Sequence, residues 1–186
     1  MEMIPVPIFY TERLILKPLE LSDAASYEKN FVDYDVISEL SAQVPWPYPK
    51  GGVATYLAEY VIPKLGTTMW GWGLALQENP KETIGSILMW RTGRSENRGF
   101  WLAKRFWGQG LMTEAVAPTI DFAFNELGFE KLIFANALGN TKSRRVKEKT
   151  GARFIGVEPA KFVNPSYSEH ELWELTKEDW LKFKKL

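Results

Sequence analysis

FWLAKRFWGQGLMTEAVAP, from Phe100 to Pro118, passes from an apolar run through a basic, glycine-punctuated turn into a segment of helical spacing. Strand, turn with two glycines, helix: the turn is either a phosphate cradle or a tight connection. A loop between a strand and a helix leaves the first helical amides unpaired and pointing back into the loop. Their partial positive charge attracts an anion, most strongly where glycine lets it approach the backbone. Gly108 and Gly110 sit where that approach would happen, with Lys104 and Arg105 as two cations beside them. The pattern, Arg/Gln-x-x-Gly-x-Gly/Ala, is short enough to arise by chance, and an ordinary strand-to-helix turn explains it equally well. It is not a Walker A loop. Nor is it the dinucleotide fingerprint, whose third glycine position holds Thr113 here.

Outward from this turn the chain alternates between the two hydrophobic periods. Thr11 to Leu19 reads as a strand ending at Pro18, and Leu21 to Leu40 as a helix capped by Ser22 or Asp23. Val44 to Gly52, with three prolines and two glycines, is a loop that carries Trp46 and Tyr48. Val53 to Leu65 returns to helical spacing. Met69 to Gln77 and Thr83 to Arg91 read as antiparallel strands joined by a turn, and Arg98 to Ala103 as a third. After the helix that ends at Gly128 come a strand over Lys131 to Leu138 and a short basic helix capped by Asn140 and stopped by Gly151. A final strand pair precedes a helix opened by Thr176 and Asp179. The order predicts one α/β (α+β) domain over residues 1–186, with a mixed, mostly antiparallel central sheet flanked by helices.

Composition narrows the chemistry. Twenty-three basic residues balance 23 acidic ones, so no global field favours nucleic acid or an anionic membrane, and neither is expected as a direct partner. The chain has no cysteine, which excludes disulfides, thiolate metal sites and an acetyl-cysteine intermediate. Its one histidine, His170, rules out a histidine-rich metal site and reads as a strand residue without catalytic consequence. No metal is expected. Neither a signal peptide nor a run of roughly 18 apolar residues is present, so the expected location is cytoplasmic.

At the glycine turn these residues resemble the GNAT superfamily of N-acetyltransferases, whose acetyl-CoA loop has the pattern written above. TERLILKPL, IGSI, GFWLAKRFWGQGLMTEA, the run from Asn140 to Ser143, and EKTGARFIG each resemble, in order, a segment of its RimJ/RimL-like branch, which acetylates N-terminal alanine or serine of ribosomal proteins. The likeness runs from Thr11 to about Trp180. It implies acetyl-CoA as cosubstrate, with Phe100, Trp101 and Leu102 offering backbone to the pantetheine arm. Amides from Arg105 through Trp107, Gly108, Gln109 and Gly110 would hold the pyrophosphate. Asn140 would contact the pantetheine, Ser143 would protonate the departing thiolate, and Trp46 and Tyr48 would border the acceptor. A homodimer is compatible with the resemblance. Two departures stand out: Pro118 inside the helix, where it removes an amide donor and should bend the axis, and Asn97-Arg98 before the strand, which leave Glu96 as the only carboxylate able to act as its base.

Without cysteine, direct attack by the amine in a ternary complex is the economical route. An α-amine titrates near 8 and lysine near 10.4, so a protein N-terminus asks less of a base at neutral pH. The readings that follow are an N-acetyltransferase for a protein N-terminal amine, the same enzyme class acting on a polyamine or aminoglycoside, and a non-catalytic acyl-CoA-binding module. The basic residues Lys142, Arg144, Arg145, Lys147 and Lys149 read chiefly as a solvated helix face, with the nucleotide phosphates as the other use.

Overall fold

The structure, a computed structural model, describes residues 2–186. Strands β1 (Phe9–Tyr10) and β2 (Leu14–Pro18) precede three short helices, α1 (Ala24–Phe31), α2 (Tyr34–Ile37) and α3 (Gly52–Tyr56). Then come β3 (Met69–Leu76), β4 (Gly85–Trp90), β5 (Arg98–Leu102), α4 (Leu111–Asn125), β6 (Lys131–Ala137) and α5 (Thr141–Glu148). The chain closes with β7 (Arg153–Pro159), β8 (Glu169–Thr176) and α6 (Lys177–Lys184). β1 to β5 form one antiparallel sheet in chain order, and β6, β8 and β7 form a second with β8 in the middle. The antiparallel, helix-flanked architecture expected from the sequence is present.

The two sheets are stitched at one residue. Asn97 donates its amide to the Ile133 carbonyl at 2.7 Å and accepts the Ile133 amide on its own Oδ1 at 2.8 Å. A side chain thus stands in for the next backbone acceptor, the ladder stops, and β5 and β6 part beyond it. That parting is what opens the site.

Tryptophans fasten the core. Trp70 and Trp72 on β3 are fully buried, and an indole N–H buried without a partner is costly. Trp70 Nε1 donates to Ile4 O and Trp72 Nε1 to Pro7 O, both at 2.9 Å, so the N-terminal segment is drawn across the sheet. Trp180 Nε1 donates to Asp121 Oδ1 at 2.8 Å and joins α6 to α4.

Two helical expectations change. The helix expected over Leu21 to Leu40 breaks at Val32, because Asp33 is extended and its carboxylate accepts the Asp35 amide, capping a new helix. The segment from Val53 to Leu65 passes from α3 into a π turn, Leu57–Val61, and a 3-10 turn, Ile62–Lys64, around the donorless Pro63. α4, by contrast, continues through Pro118.

Glu114, in the first turn of α4, clamps the N-terminal strands to the glycine turn. Its carboxylate accepts from Thr11 Oγ1 at 2.6 Å, Arg13 N at 2.9 Å and Arg13 Nε at 2.9 Å, while Arg13 Nη1 donates to Gln109 O at 2.9 Å. Burial alone would raise the Glu114 carboxyl, but these bonds and the Arg13 charge outweigh it and hold it below its ordinary value. Glu114→Gln is expected to cost about 1–2 kcal/mol, read as a fall in Tm of roughly 2–8 °C. A lowered carboxylate stabilises fully above its unfolded value near 4.5 and loses that contribution as pH falls through the folded one, so the difference between wild type and variant should shrink in acid. A constant difference across that range would show that the charge is not what Glu114 contributes.

Candidate active site

The glycine turn has a backbone geometry suited to an anion. Gly108 and Gly110 have φ of 76° and 77°, in the left-handed region where a side chain is strained, and Gly110 caps α4 without any side-chain acceptor. No protein acceptor meets the amides of Gly108, Gln109, Gly110, Leu111 and Met112 among the described residues. Consecutive free amides in such a turn, at a helix start, are suited to a phosphate. Gly108 and Gly110 line a cleft of about 240 Å³ that also takes in Phe100, Trp101, Leu102, Trp107, Asn140 and Ser143.

Two expected side chains do not reach that cleft. Lys104 is turned to Asp35, and Arg105 pairs with Glu82 and with Asn30 Oδ1, so neither cation sits beside the glycines. Each meets an acceptor from a distant segment that sequence proximity could not show. Gln109 likewise turns its carbonyl to Arg13. The cations at the cleft come instead from α5 and the residue that caps its end: Lys142, Arg145 and Lys149 line it. Arg144 lies on the opposite side of the helix, bonded to Glu148 and Glu171.

α5 starts where the parted strands leave room. Asn140 caps it, accepting the Ser143 amide on Oδ1 at 3.2 Å, and so places Ser143 at the third helical position, as the sequence predicts. One turn on, Lys147 Nζ donates to Ser143 Oγ at 2.6 Å. Because Oγ accepts that bond, the hydroxyl hydrogen is left free to point elsewhere. Lys147 is 1% exposed, which corrects its reading as part of a solvated face. Burial first, then the charge of Arg98, hold its ammonium well below the ordinary lysine value, with Glu171 partly opposing.

A second cavity, of about 630 Å³, lies on the other side of Phe100 and Trp101. Its roof is the β7–β8 loop, held to residues 38–42 by backbone bonds from Ala42 N to Lys161 O, Val163 N to Leu40 O and Asn164 N to Ser38 O. Tyr48 lines it, packed edge-on against Phe31 with ring centroids 5.4 Å apart. Trp46 does not line it and packs on Tyr34 with 42% of its surface exposed. Tyr27, also in the wall, has its phenol pushed up to about 12 by burial. Among the charged lining residues are Arg94, Arg98, Lys161 and one carboxylate, Glu96, and His170 joins them from β8.

Sequence reading missed Arg98 and Lys147. Arg98 alternates with Phe100 and Leu102 on β5, so its inward direction was available from the strand period. It is 4% exposed, and burial pushes its guanidinium down to about 9, still charged at neutral pH. For Lys147 the spacing from Ser143 was visible, but nothing local separated a buried lysine from a surface one.

Residues 13–153 match the acetyltransferase (GNAT) domain family. The Bacillus subtilis protein YdaF, provisionally named a ribosomal N-acetyltransferase, is 33% identical over 91 residues, 48% of this chain and half of YdaF's own length. An Aspergillus fumigatus FsC-acetyl coenzyme A-N(2)-transacetylase is 29% identical over 96% of this chain and 80% of its own. The solved structure of ribosomal-protein-S5-alanine acetyltransferase from Vibrio fischeri superposes with a TM-score of 0.78 at 20% identity, covering 94% of this chain and 98% of that one. With the cradle, the parted strands and this coverage together, the chain belongs to the GNAT acetyltransferases and is an acetyl-CoA-dependent N-acetyltransferase.

Proposed function

We propose that the chain transfers acetyl from acetyl-CoA to the N-terminal α-amine of a protein, ribosomal or other, by direct attack in a ternary complex. The observation that carries this reading is Ser143, whose hydroxyl, fixed by Lys147, borders the cofactor cleft one residue layer from a second cavity across Phe100. The free amides from Gly108 to Met112 would hold the pyrophosphate, and β5 around Phe100 to Leu102 would receive the pantetheine arm like an added strand. Bound acetyl-CoA supplies the thioester carbon that the amine attacks. A β5 amide polarises the carbonyl, the attacking amine releases a proton to water, and the Ser143 hydroxyl gives its proton to the leaving sulfur and regains one from solvent. Asn140 steadies the start of α5 against the arm.

The second cavity supports a peptide over a polycation, since it holds more basic groups than carboxylates. A second reading is a small-molecule amine, left open because the relative matched over 96% of this chain is named an FsC-acetyl coenzyme A-N(2)-transacetylase and not a ribosomal one. A panel of Ala- and Ser-initiated peptides, polyamines and aminoglycosides separates the two. Peptides are expected to give kcat/KM at least about tenfold above any polyamine. The reverse order would remove the N-terminal reading. In the same assay, intact-mass measurement after acetyl-CoA without acceptor should find no adduct that disappears when amine is added, because an acyl-enzyme is not on this route.

A further inference from the structure

A third, smaller cavity of about 100 Å³ lies in the wedge where β5 and β6 part. It adjoins both larger ones, sharing Ser143 and Phe100 with the cofactor cleft and Arg98 and Phe100 with the acceptor cavity. Two buried basic side chains, Arg98 and Lys147, face it, and among the described residues no Asp or Glu lines it. The Arg98 guanidinium carbon lies 3.7 Å from the Phe134 ring centroid. Neither of its terminal nitrogens has a hydrogen-bond partner among the described residues. Glu171, the buried carboxylate on β8, is committed to Asn136 and Arg144.

A buried guanidinium with its fork unfilled is destabilising, and a ring face offsets only part of that cost. Such a group persists in a core when something else needs it. The planar fork matches a carboxylate with two parallel bonds, and the volume exceeds the roughly 10–15 Å³ that one water requires.

We infer that this wedge cavity is a subsite for a carboxylate carried by one of the two substrates, gripped by the Arg98 fork. The carboxylate belongs either to the acceptor, as an acidic residue next to its amine or the α-carboxylate of an amino acid, or to the far end of the donor's acyl chain. The inference rests on the acyltransferase reading, because both sources enter through the cavities assigned to it.

Two arms distinguish the sources in the purified full chain. Calorimetry compares acetyl-CoA with malonyl-CoA and succinyl-CoA. Transfer assays with acetyl-CoA compare Ala-Glu with Ala-Gln peptides, and phenylalanine with its amide. One arm is expected to favour the carboxylate member by at least about tenfold. In Arg98→Met that preference should fall to near parity, with Arg98→Lys between the two. Arg98→Met should also melt at or above the wild-type temperature, since it removes an unfilled buried cation. A structural role for Arg98 predicts the opposite shift. No preference in either arm, a preference that survives Arg98→Met, or a lowered melting temperature in that variant overturns the subsite. If no amine is acetylated at all, the proposed function fails, while the calorimetric arm and the melting shift still judge the cavity.

Discussion

Ser143→Ala is expected to acetylate its acceptor about ten- to a hundredfold more slowly in kcat, with acetyl-CoA affinity nearly unchanged. That loss corresponds to roughly 1.4–2.7 kcal/mol of transition-state stabilisation, at the lower end of general-acid effects because a CoA thiolate leaves fairly well. The split between kcat and affinity follows from when the bond matters: sulfur carries little charge until the C–S bond breaks. Ser143 could instead be only a helix-start residue. That alternative predicts a slight loss of stability and unchanged turnover, since hydroxyls at such positions often serve local backbone. The bond from Lys147 argues for the first outcome, because it occupies the serine oxygen and frees the proton. Ser143→Cys keeps a donor and should fall between the two. Steady-state kcat measured beside calorimetric Kd decides the matter, and wild-type turnover in both variants would remove Ser143 as the acid.

Gly108→Val and Gly110→Val are each expected to weaken coenzyme A binding by more than about tenfold, or roughly 1.4 kcal/mol. Space is not the obstacle at Gly108, where an added Cβ meets nothing within 4 Å, and at Gly110 the nearest atom, Arg13 Nη2, is 3.7 Å away. The obstacle is φ. A β-branched residue at φ of 76° or 77° is strained, so the turn must flatten and the free amides lose their common direction. Gly110→Val should also lower Tm, because it disturbs the cap of α4 and the Arg13 bond to Gln109. Gly108→Val should act more purely on binding. Wild-type affinity in both variants, with the fold intact by circular dichroism, would leave the turn as a tight connection and nothing more.

Much of the site was legible before any coordinates. Asn140 and the helix spacing after it placed Ser143 at the third position of α5, and two glycines between an apolar strand and a helix marked the turn that precedes α4. These are local matters: a cap, a period and a φ angle are set by residues within one turn of each other. The same locality explains the helical errors. Asp33 is itself a strong cap, but it lies in a stretch whose apolar spacing runs on past it, and periodicity alone reads through such a break.

Local signals set the order of most elements, the core period on them, a two-glycine turn between strand and helix, and the absence of thiol chemistry. Tertiary structure decided everything that depends on partners far along the chain. Asn97 ends the sheet through Ile133, 36 residues away, and without that bond no wedge between β5 and β6 could be foreseen. Lys104 and Arg105 stand next to the glycines in sequence, yet Asp35 and Glu82 draw them off, while Lys142, Arg145 and Lys149 supply the cations instead. Lys147 looks like a surface charge in the sequence and is a core residue in the fold, and Arg98, whose inward direction the strand period allows, is buried with it. The physical reason is the same in each case. Backbone conformation responds to neighbours within a few residues, whereas a charge takes its pKa and its partner from whatever the folded chain packs around it.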